Sequence, residues 1–406
     1  MKVGIGFSNE IDALVSGKKI AELAVDSGEI QKPKFAIAFC SADVNAGELL
    51  TGIKEVIGTD IPVVGGSGIG IITNNTISYD NHSAGIVVVE DDDIEIHLAS
   101  ATGLDKSELQ VGRNLANQLT PEEDDVLILF FDSIKTPPEN NKPPIMNSSR
   151  PLLQGIEEII AGKIPIVGGG TIGDYDFSST IQFSKGRIQS QAATALLLRG
   201  DIHADWRIMH GCSPKDGIYH TITKIEGPVL HEVDNRPIIE VINEMYGSED
   251  WQKQLPVKRL SIGVNHGDKF NSSWSEADYV NRLIIGPLPD KSGIVLFEAD
   301  LEEGSEIQFM LRDTKTMIQS ARINTEILVK GVISSGKTPK WGLYIDCAGR
   351  TAMASECLTE EASEVQTVFN NNNIPLFGFY SGVEIAPFQN KNRGLDWTGV
   401  LILFSK

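Results

Sequence analysis

The stretch IPIVGGGTIGDYDF, Ile164 to Phe177, decides the fold. Gly168, Gly170 and Gly173 satisfy the G-x-G-x-x-G spacing of a dinucleotide loop. Such a loop needs a helix to open at its last glycine, so that the first N–H groups of that helix face a pyrophosphate. After Gly173 the chain reads DYDFSSTIQFSKGRIQSQAATALLL, whose Thr, Ile, Phe and Gly content predicts a hairpin instead. A nucleotide loop is therefore not expected. The glycines then have two readings: turns with positive φ at a strand end, or bare backbone whose N–H groups a small ligand can approach.

The motif occurs three times. IPVVGGSGIG from Ile61, IPIVGGGTIGDYDF from Ile164 and IPLFGFYSGVEIAP from Ile374 share Ile-Pro, two apolar residues and Gly. A helix-like stretch precedes each: ELLTGIKEVIG, PLLQGIEEIIAG and SECLTEEASEVQTVF. Upstream of these lie FAIAFCSAD, DVLILFFDS and WGLYIDCAG, with the length and composition of buried strands. Downstream come SAGIVVVEDD, AATALLLRGD and TGVLILFSK, again strand-like. The repeating unit is strand, loop, helix, Ile-Pro strand, then a return to sheet.

A first strand VGIGF and a helix from about Asn9 to Ser27, capped by Ser8 or Asn9, precede the first unit. The first two units end near Arg199. TITKIEGPVLHEV, a helix RPIIEVINEMYG and the strands RLSIGVN, YVNRLIIGP and GIVLFEAD follow, then a long helix from about Thr314 to Gly331. This predicts two domains, 1–203 and 204–406, for a chain of 406 residues. The expected class is α/β, with mixed β-sheets, helices on their outer faces and, if sheets pair face to face, a four-layer α-β-β-α sandwich.

Composition narrows the partners. With 35 Lys plus Arg against 55 Asp plus Glu, the net charge of -20 repels phosphate backbones and anionic lipid, so neither nucleic acid nor membrane is expected. The longest apolar runs resemble VLILFF, Val126 to Phe131, far below the roughly 18 residues that cross a bilayer. The start, MKVGIGFSNE, does not resemble a secretory signal, and the four Cys form no C-x-x-C pair. A cytoplasmic protein with reduced thiols and no metal site is the expectation.

TKIEGPVLHEVDNRPIIEVINEMYG, YVNRLIIG, LEEGSEIQFMLRD, YIDCAGR and PLFGFYSGVEIAP, in this order, resemble the C-terminal half of FIST domains. The first half is similar to the FIST N domain, with IPVVGGS in place of that family's Gly-Cys-Ser-Thr-type segment and Gly66 where Cys is usual. The resemblance implies an intracellular sensory module that binds a small ligand such as an amino acid. No output domain is left over, so it further implies signalling through a separate partner protein. Some similar proteins bind haem; here no cofactor is expected and haem is the alternative. Its seven His (82, 97, 203, 210, 220, 231 and 266) are scattered singly, apart from a loose pairing of His203 with His210.

The candidate ligand-binding residues follow from the strand ends and the resemblance. Cys347, Gly349 and Arg350 close one strand of the third unit, and Tyr380, Ser381 and Glu384 close its Ile-Pro strand. Arg350 with Glu384 or Glu356 could clamp a zwitterion; alternatively, Arg350 and Glu384 pair with each other and tie two loops together. Arg282 matches a family arginine with the same two readings. Gly66, Ser67, Gly169 and Gly170 offer exposed backbone. A His-Asn-x-Thr stretch suggested by the resemblance is replaced here by Leu395, Asp396, Trp397 and Thr398. A cysteine-dependent or other hydrolase using Cys347 as nucleophile is the alternative function, with Cys40 and Asp132 at the corresponding strand ends. The proline- and asparagine-rich loop Thr136 to Pro151 is either a lid or a surface excursion. SSWSEADY around Trp274 is an interaction surface or a turn with one packed indole.

Overall fold

A computed structural model describes residues 1–139, 144–160, 164–270 and 274–406. The chain runs three times through one order of elements. The first third is β1 (Lys2–Ser8), α1 (Ala13–Ser27), β2 (Phe35–Cys40), α2 (Ala46–Ile57), β3 (Val63–Ser67), β4 (Ile71–Thr73), β5 (Ile77–Ser78) and β6 (Ala84–Glu90). The second is β7 (Ile94–Thr102), α3 (Glu108–Ala116), β8 (Val126–Asp132), the small pair β9 (Ile134–Thr136) and β10 (Ile145–Met146), α4 (Ser149–Ile160), β11 (Ile166–Thr171), β12 (Gln182–Ser184), β13 (Arg187–Gln189) and β14 (Ala192–Gly200).

The third opens with β15 (His203–Met209), on which the boundary expected near Ala204 falls, and is then interrupted. The inserted segment holds β16 (Cys212–Pro214), β17 (His220–Glu226), β18 (Val229–Val233), β19 (Arg236–Pro237), α5 (Ile238–Tyr246), β20 (Leu260–Asn265), β21 (Tyr279–Arg282), β22 (Ile284–Pro287), β23 (Ile294–Leu296) and β24 (Glu306–Arg312). These strands form a separate nine-stranded sheet. The third then resumes with α6 (Thr314–Ser334), β25 (Pro339–Cys347), α7 (Ala352–Ser355), α8 (Ala362–Asn371), β26 (Leu376–Ser381), β27 (Val383–Phe388), β28 (Lys391–Leu395) and β29 (Gly399–Ser405).

Each third builds four strands of a mixed sheet, with β2/β3, β8/β11 and β25/β26 as the parallel pairs. Each sheet is completed by a hairpin from another third. β12–β13, the hairpin read after Gly173, extends β3; β27–β28 extends β11; β4–β5 extends β26. The exchange is cyclic, and two of its hairpins cross residue 203.

Strand alternation explains the layering. In β2, Phe35, Ile37 and Phe39 face a central core shared by all three sheets, whereas Ala36, Ala38 and Cys40 face α1 and α2. In β8, Val126, Ile128 and Phe130 point inward and Leu127, Leu129 and Phe131 outward to α3 and α4. The third sheet repeats this against α6 and α8. Three phenylalanines, one from each third, meet in the centre: Phe39 stacks on Phe379 at 3.6 Å, and Phe130 sets its ring edge-on to both. The expected α/β class with helices on the outer faces is therefore observed, with three sheets packed around one shared core.

The glycine common to the three motifs has one cause. A Cβ on Gly65 would stand 2.0 Å from the Ala38 carbonyl oxygen, on Gly168 1.8 Å from that of Leu129, and on Gly378 2.4 Å from that of Tyr344. The neighbouring parallel strand leaves no room for a side chain, and Gly65 and Gly168 also have φ of +119° and +152°. One expected helix start moves: α1 begins at Ala13, because Asp12 rather than Ser8 or Asn9 accepts from the Val15 N–H at 3.0 Å.

Candidate functional site

The chain reversals after β3, β11 and β26 converge at one end of the body. The Gly382 N–H donates to the Gly170 carbonyl at 2.8 Å, Ile69 N–H to Tyr380 at 3.3 Å, and Ala42 N–H to Gly173 at 3.1 Å. Between this end and the inserted sheet lies a cavity of about 660 Å³. The body supplies Ile172, Tyr175, Phe177, Cys347 to Gly349, Ser381, Gly382 and Trp397, and the insertion supplies Leu255, Pro256, Lys258, Leu283, Val295, Phe297 and the turn 285–289. Its wall is chiefly apolar. A second hollow of about 610 Å³, lined by Ser41, Asp43, Asp80, Asp174 and neighbours, adjoins it across Tyr175 and Met353, which line both.

Of the residues expected to hold a ligand, Cys347, Gly349 and Ser381 line the cavity. Arg350 does not. It is wholly buried, with Nη1 donating to the His210 and Trp397 carbonyls at 2.9 and 2.7 Å, Nη2 paired with Glu361, and Nε 3.3 Å from Asp346. Burial disfavours its charge, but Glu361 and Asp346 outweigh this and hold the guanidinium protonated. Neither the zwitterion clamp nor the Arg350–Glu384 tie is formed, because the guanidinium has nearer carboxylates at the end of β25 and at the start of α8. Glu384 instead accepts from Ser381 Oγ at 2.7 Å, and exposed Glu356 pairs with Lys258 at the cavity rim.

The remaining candidates lie within the framework. Arg282 is buried against Asp300, with Nε 2.6 Å from Oδ1. Tyr380 donates to Glu360 at 3.2 Å, which also accepts from Tyr79 at 2.7 Å. Gly66, Gly169 and Gly170 are flanked by a strand on each side, so their backbone is not open to a ligand. Ser67 is buried, its Oγ accepting from the Ile181 N–H at 3.1 Å. Cys347 as nucleophile meets an electrostatic obstacle: burial pushes its thiol well above the usual range and the neighbouring Glu384 carboxyl adds to the effect.

Among the described residues, no histidine lines either hollow. His210, buried, accepts from the Cys212 N–H through Nδ1 at 2.9 Å, and His220 and His82 face Asp234 and Asp43. Among the described residues no group of His, Cys, Asp and Glu could hold a metal ion, and no helix is long and apolar enough to cross a membrane. Residues 140–143 of the proline-rich loop lie outside the described residues, while its Pro138 and Pro144 line the cavity. Ser272 and Ser273 of SSWSEADY lie outside them too.

Sequence reasoning missed the aromatic wall and its support. Trp397 comes from the four residues that depart from the family pattern, and Tyr175 from the opening motif itself, where its hydroxyl donates to the Ala348 carbonyl at 3.0 Å. The Arg312 guanidinium, from β24 of the insertion, stacks 3.8 Å over the Trp397 ring and donates to the Gly349 carbonyl at 2.9 Å and to the Lys258 carbonyl at 3.3 Å. Burial lowers it to about 10. One side chain thereby joins the insertion to two cavity residues of the body, Trp397 and Gly349.

Two family models match the chain, the FIST N domain over residues 34–236 and the FIST C domain over 239–387. An uncharacterized protein of Methanocaldococcus jannaschii is 26% identical over 171 residues, covering 39% of this chain and only 31% of the relative's length. Among solved structures, a cyanuric acid hydrolase aligns over the whole of both chains at 9% identity and a TM-score of 0.33. Phosphoribosylformylglycinamidine synthase II of Thermotoga maritima aligns over 99% of this chain and 71% of its own, at 12% identity and a TM-score of 0.23. Both alignments are too loose to carry an argument about fold or activity.

Proposed function

This chain belongs to the FIST family, whose domains are generally taken as sensory domains of signal transduction, and on that premise we propose that it reversibly binds a small metabolite in the 660 Å³ cavity and signals through a separate protein. The observation that carries this reading is the position of the cavity. It lies where two separately cored bodies face each other, one wall from the threefold body and the other from the inserted sheet. Its volume falls within the range of small-molecule sites. A guest there touches both walls, so its binding energy acts on how the bodies sit, which is what a sensor must transmit to a partner.

The amino-acid class implied by the family enters as one ligand group to be tested. A thermal-shift screen of amino acids, small carboxylates, uncharged amides and alcohols, and haem tests the reading. A ligand present at 100 times its Kd stabilises by about 2.7 kcal/mol. Binding that survives substitution of cavity residues from both walls would remove the cavity from the proposal.

A further inference from the structure

We propose that the chain pairs with a second copy of itself through the free edge of β15, the two β15 strands joining antiparallel about a two-fold axis at Trp206. This does not depend on the cavity being a ligand site.

The three sheets of the body end in the edge strands β1, β7 and β15, and two of these edges are closed. On β1 the Ser27 hydroxyl accepts from the Ile5 N–H at 3.1 Å and lies 3.2 Å from the Ile5 carbonyl oxygen. On β7 the Gln118 amide accepts from the Ser100 N–H at 3.5 Å and donates to the Ser100 carbonyl at 2.8 Å. The cross-strand rows Ile5, Val87, Ile37 and Trp206, Ile402, Leu343 make Trp206 the counterpart of Ile5. The main-chain groups of Trp206, and by alternation those of Ala204 and Ile208, therefore turn away from β29. Among the described residues no side chain closes this third edge. A hollow of about 350 Å³ runs beside it, lined by Asp205, Trp206 and Arg207 and, from α6, by Ile327 and Leu328. The strand pairs with β29 over its whole length without a bulge and carries no proline, so it is a regular template for another strand.

The edge is complementary to itself. With Trp206 opposite Trp206 of the partner subunit, each N–H meets the other's carbonyl and Ala204 falls opposite Ile208. Asp205 then falls opposite Arg207 on both sides of the axis, two pairs of opposite charge. The register that matches the charges is thus also the one whose centre turns its hydrogen-bonding groups outward. Apolar cover follows from the same axis. α6 packs on β15 and exposes Ile323 and Ile327 one turn apart, with Ile327 in the wall of the hollow. The two-fold sets α6 beside its copy, so these isoleucines leave water. This self-match favours a second copy over an unrelated strand.

The test is sedimentation equilibrium of the full chain, with the wild type expected at twice 44.1 kDa. Asp205→Arg and Arg207→Asp each set like charges opposite one another twice, and each should weaken self-association by about tenfold or more. An equimolar mixture of the two variants restores Arg opposite Asp at every pair and should form a heterodimer of near wild-type affinity. Hydrogen exchange reads the wild type without a substitution: the Trp206 and Ile208 amides should be protected in the dimer and exchange freely after dilution. A wild type that sediments as a single chain overturns the proposal. So do a dimer unmoved by both variants, a mixture no tighter than its components, and amides equally exposed in both states. If a variant unfolds, the exchange experiment decides alone.

Discussion

The Tyr380 N–H donates to the Gly70 carbonyl at 3.1 Å, joining a strand of the last third of the chain to a turn of the first. The same exchange closes the other two sheets, and the central core draws on both halves of the chain. Fragments 1–203 and 204–406 are therefore expected to fail to fold alone. The first would lack the β27–β28 cover of β11 and leave β4–β5 without a sheet. Circular dichroism and denaturant melts of each fragment check this; two separate cooperative transitions matching those of the intact chain would contradict it.

Gly168→Ala should destabilise by about 3 kcal/mol or more, because the new methyl meets the Leu129 carbonyl oxygen at 1.8 Å on an already unfavourable φ. Gly331→Ala is the control. Nothing stands within 4 Å of its added Cβ and it lies in α6, so the exchange should stabilise by about 0.5–1 kcal/mol. Urea unfolding of the two variants measures both signs.

Arg350→Met strips the guanidinium from two fully buried carboxyl groups, Asp346 and Glu361. A loss of about 3–5 kcal/mol is expected. Had Arg350 been a ligand clamp, the variant would keep its stability and lose only binding, so melting temperature and ligand titration together separate the roles. Glu356→Gln, on an exposed residue, should leave the melting temperature nearly unchanged.

Acid should act on the Arg282–Asp300 pair. Burial opposes the charge on Asp300, but Arg282 outweighs it and holds the carboxyl below its usual range. A folded value below the unfolded one means stabilisation that is present above about pH 3.9 and lost as the pH falls through the folded value. The unfolding free-energy gap between wild type and Asp300→Asn should thus be full near about pH 6 and close in acid. A gap that widens on acidification would contradict the assignment.

Cys40, Cys212 and Cys347 are buried, and burial raises each thiol; Cys357 is only partly covered. A thiol reagent applied to the native protein should label Cys357 first and the other three only on unfolding. Rapid native labelling of Cys347 would restore the nucleophile reading.

The sequence by itself determined the repeating unit, because its causes are local. Buried strands such as VLILFF must be apolar on both faces, and the shared glycine is forced by the adjacent strand's carbonyl. The hairpin after Gly173 was legible for the same reason, as were the strand ends Cys347 and Ser381 that reach the cavity. Only the tertiary structure decided which sheet each hairpin joins, since a hairpin satisfies its own hydrogen bonds on one edge and leaves the other edge's partner unspecified. It also decided the fate of Arg350. Asp346 stands four residues before it, but the choice of Glu361 over Glu384 depends on where α8 docks. The cavity's second wall comes from an insertion folded back over the strand ends, and no local pattern encodes that distance.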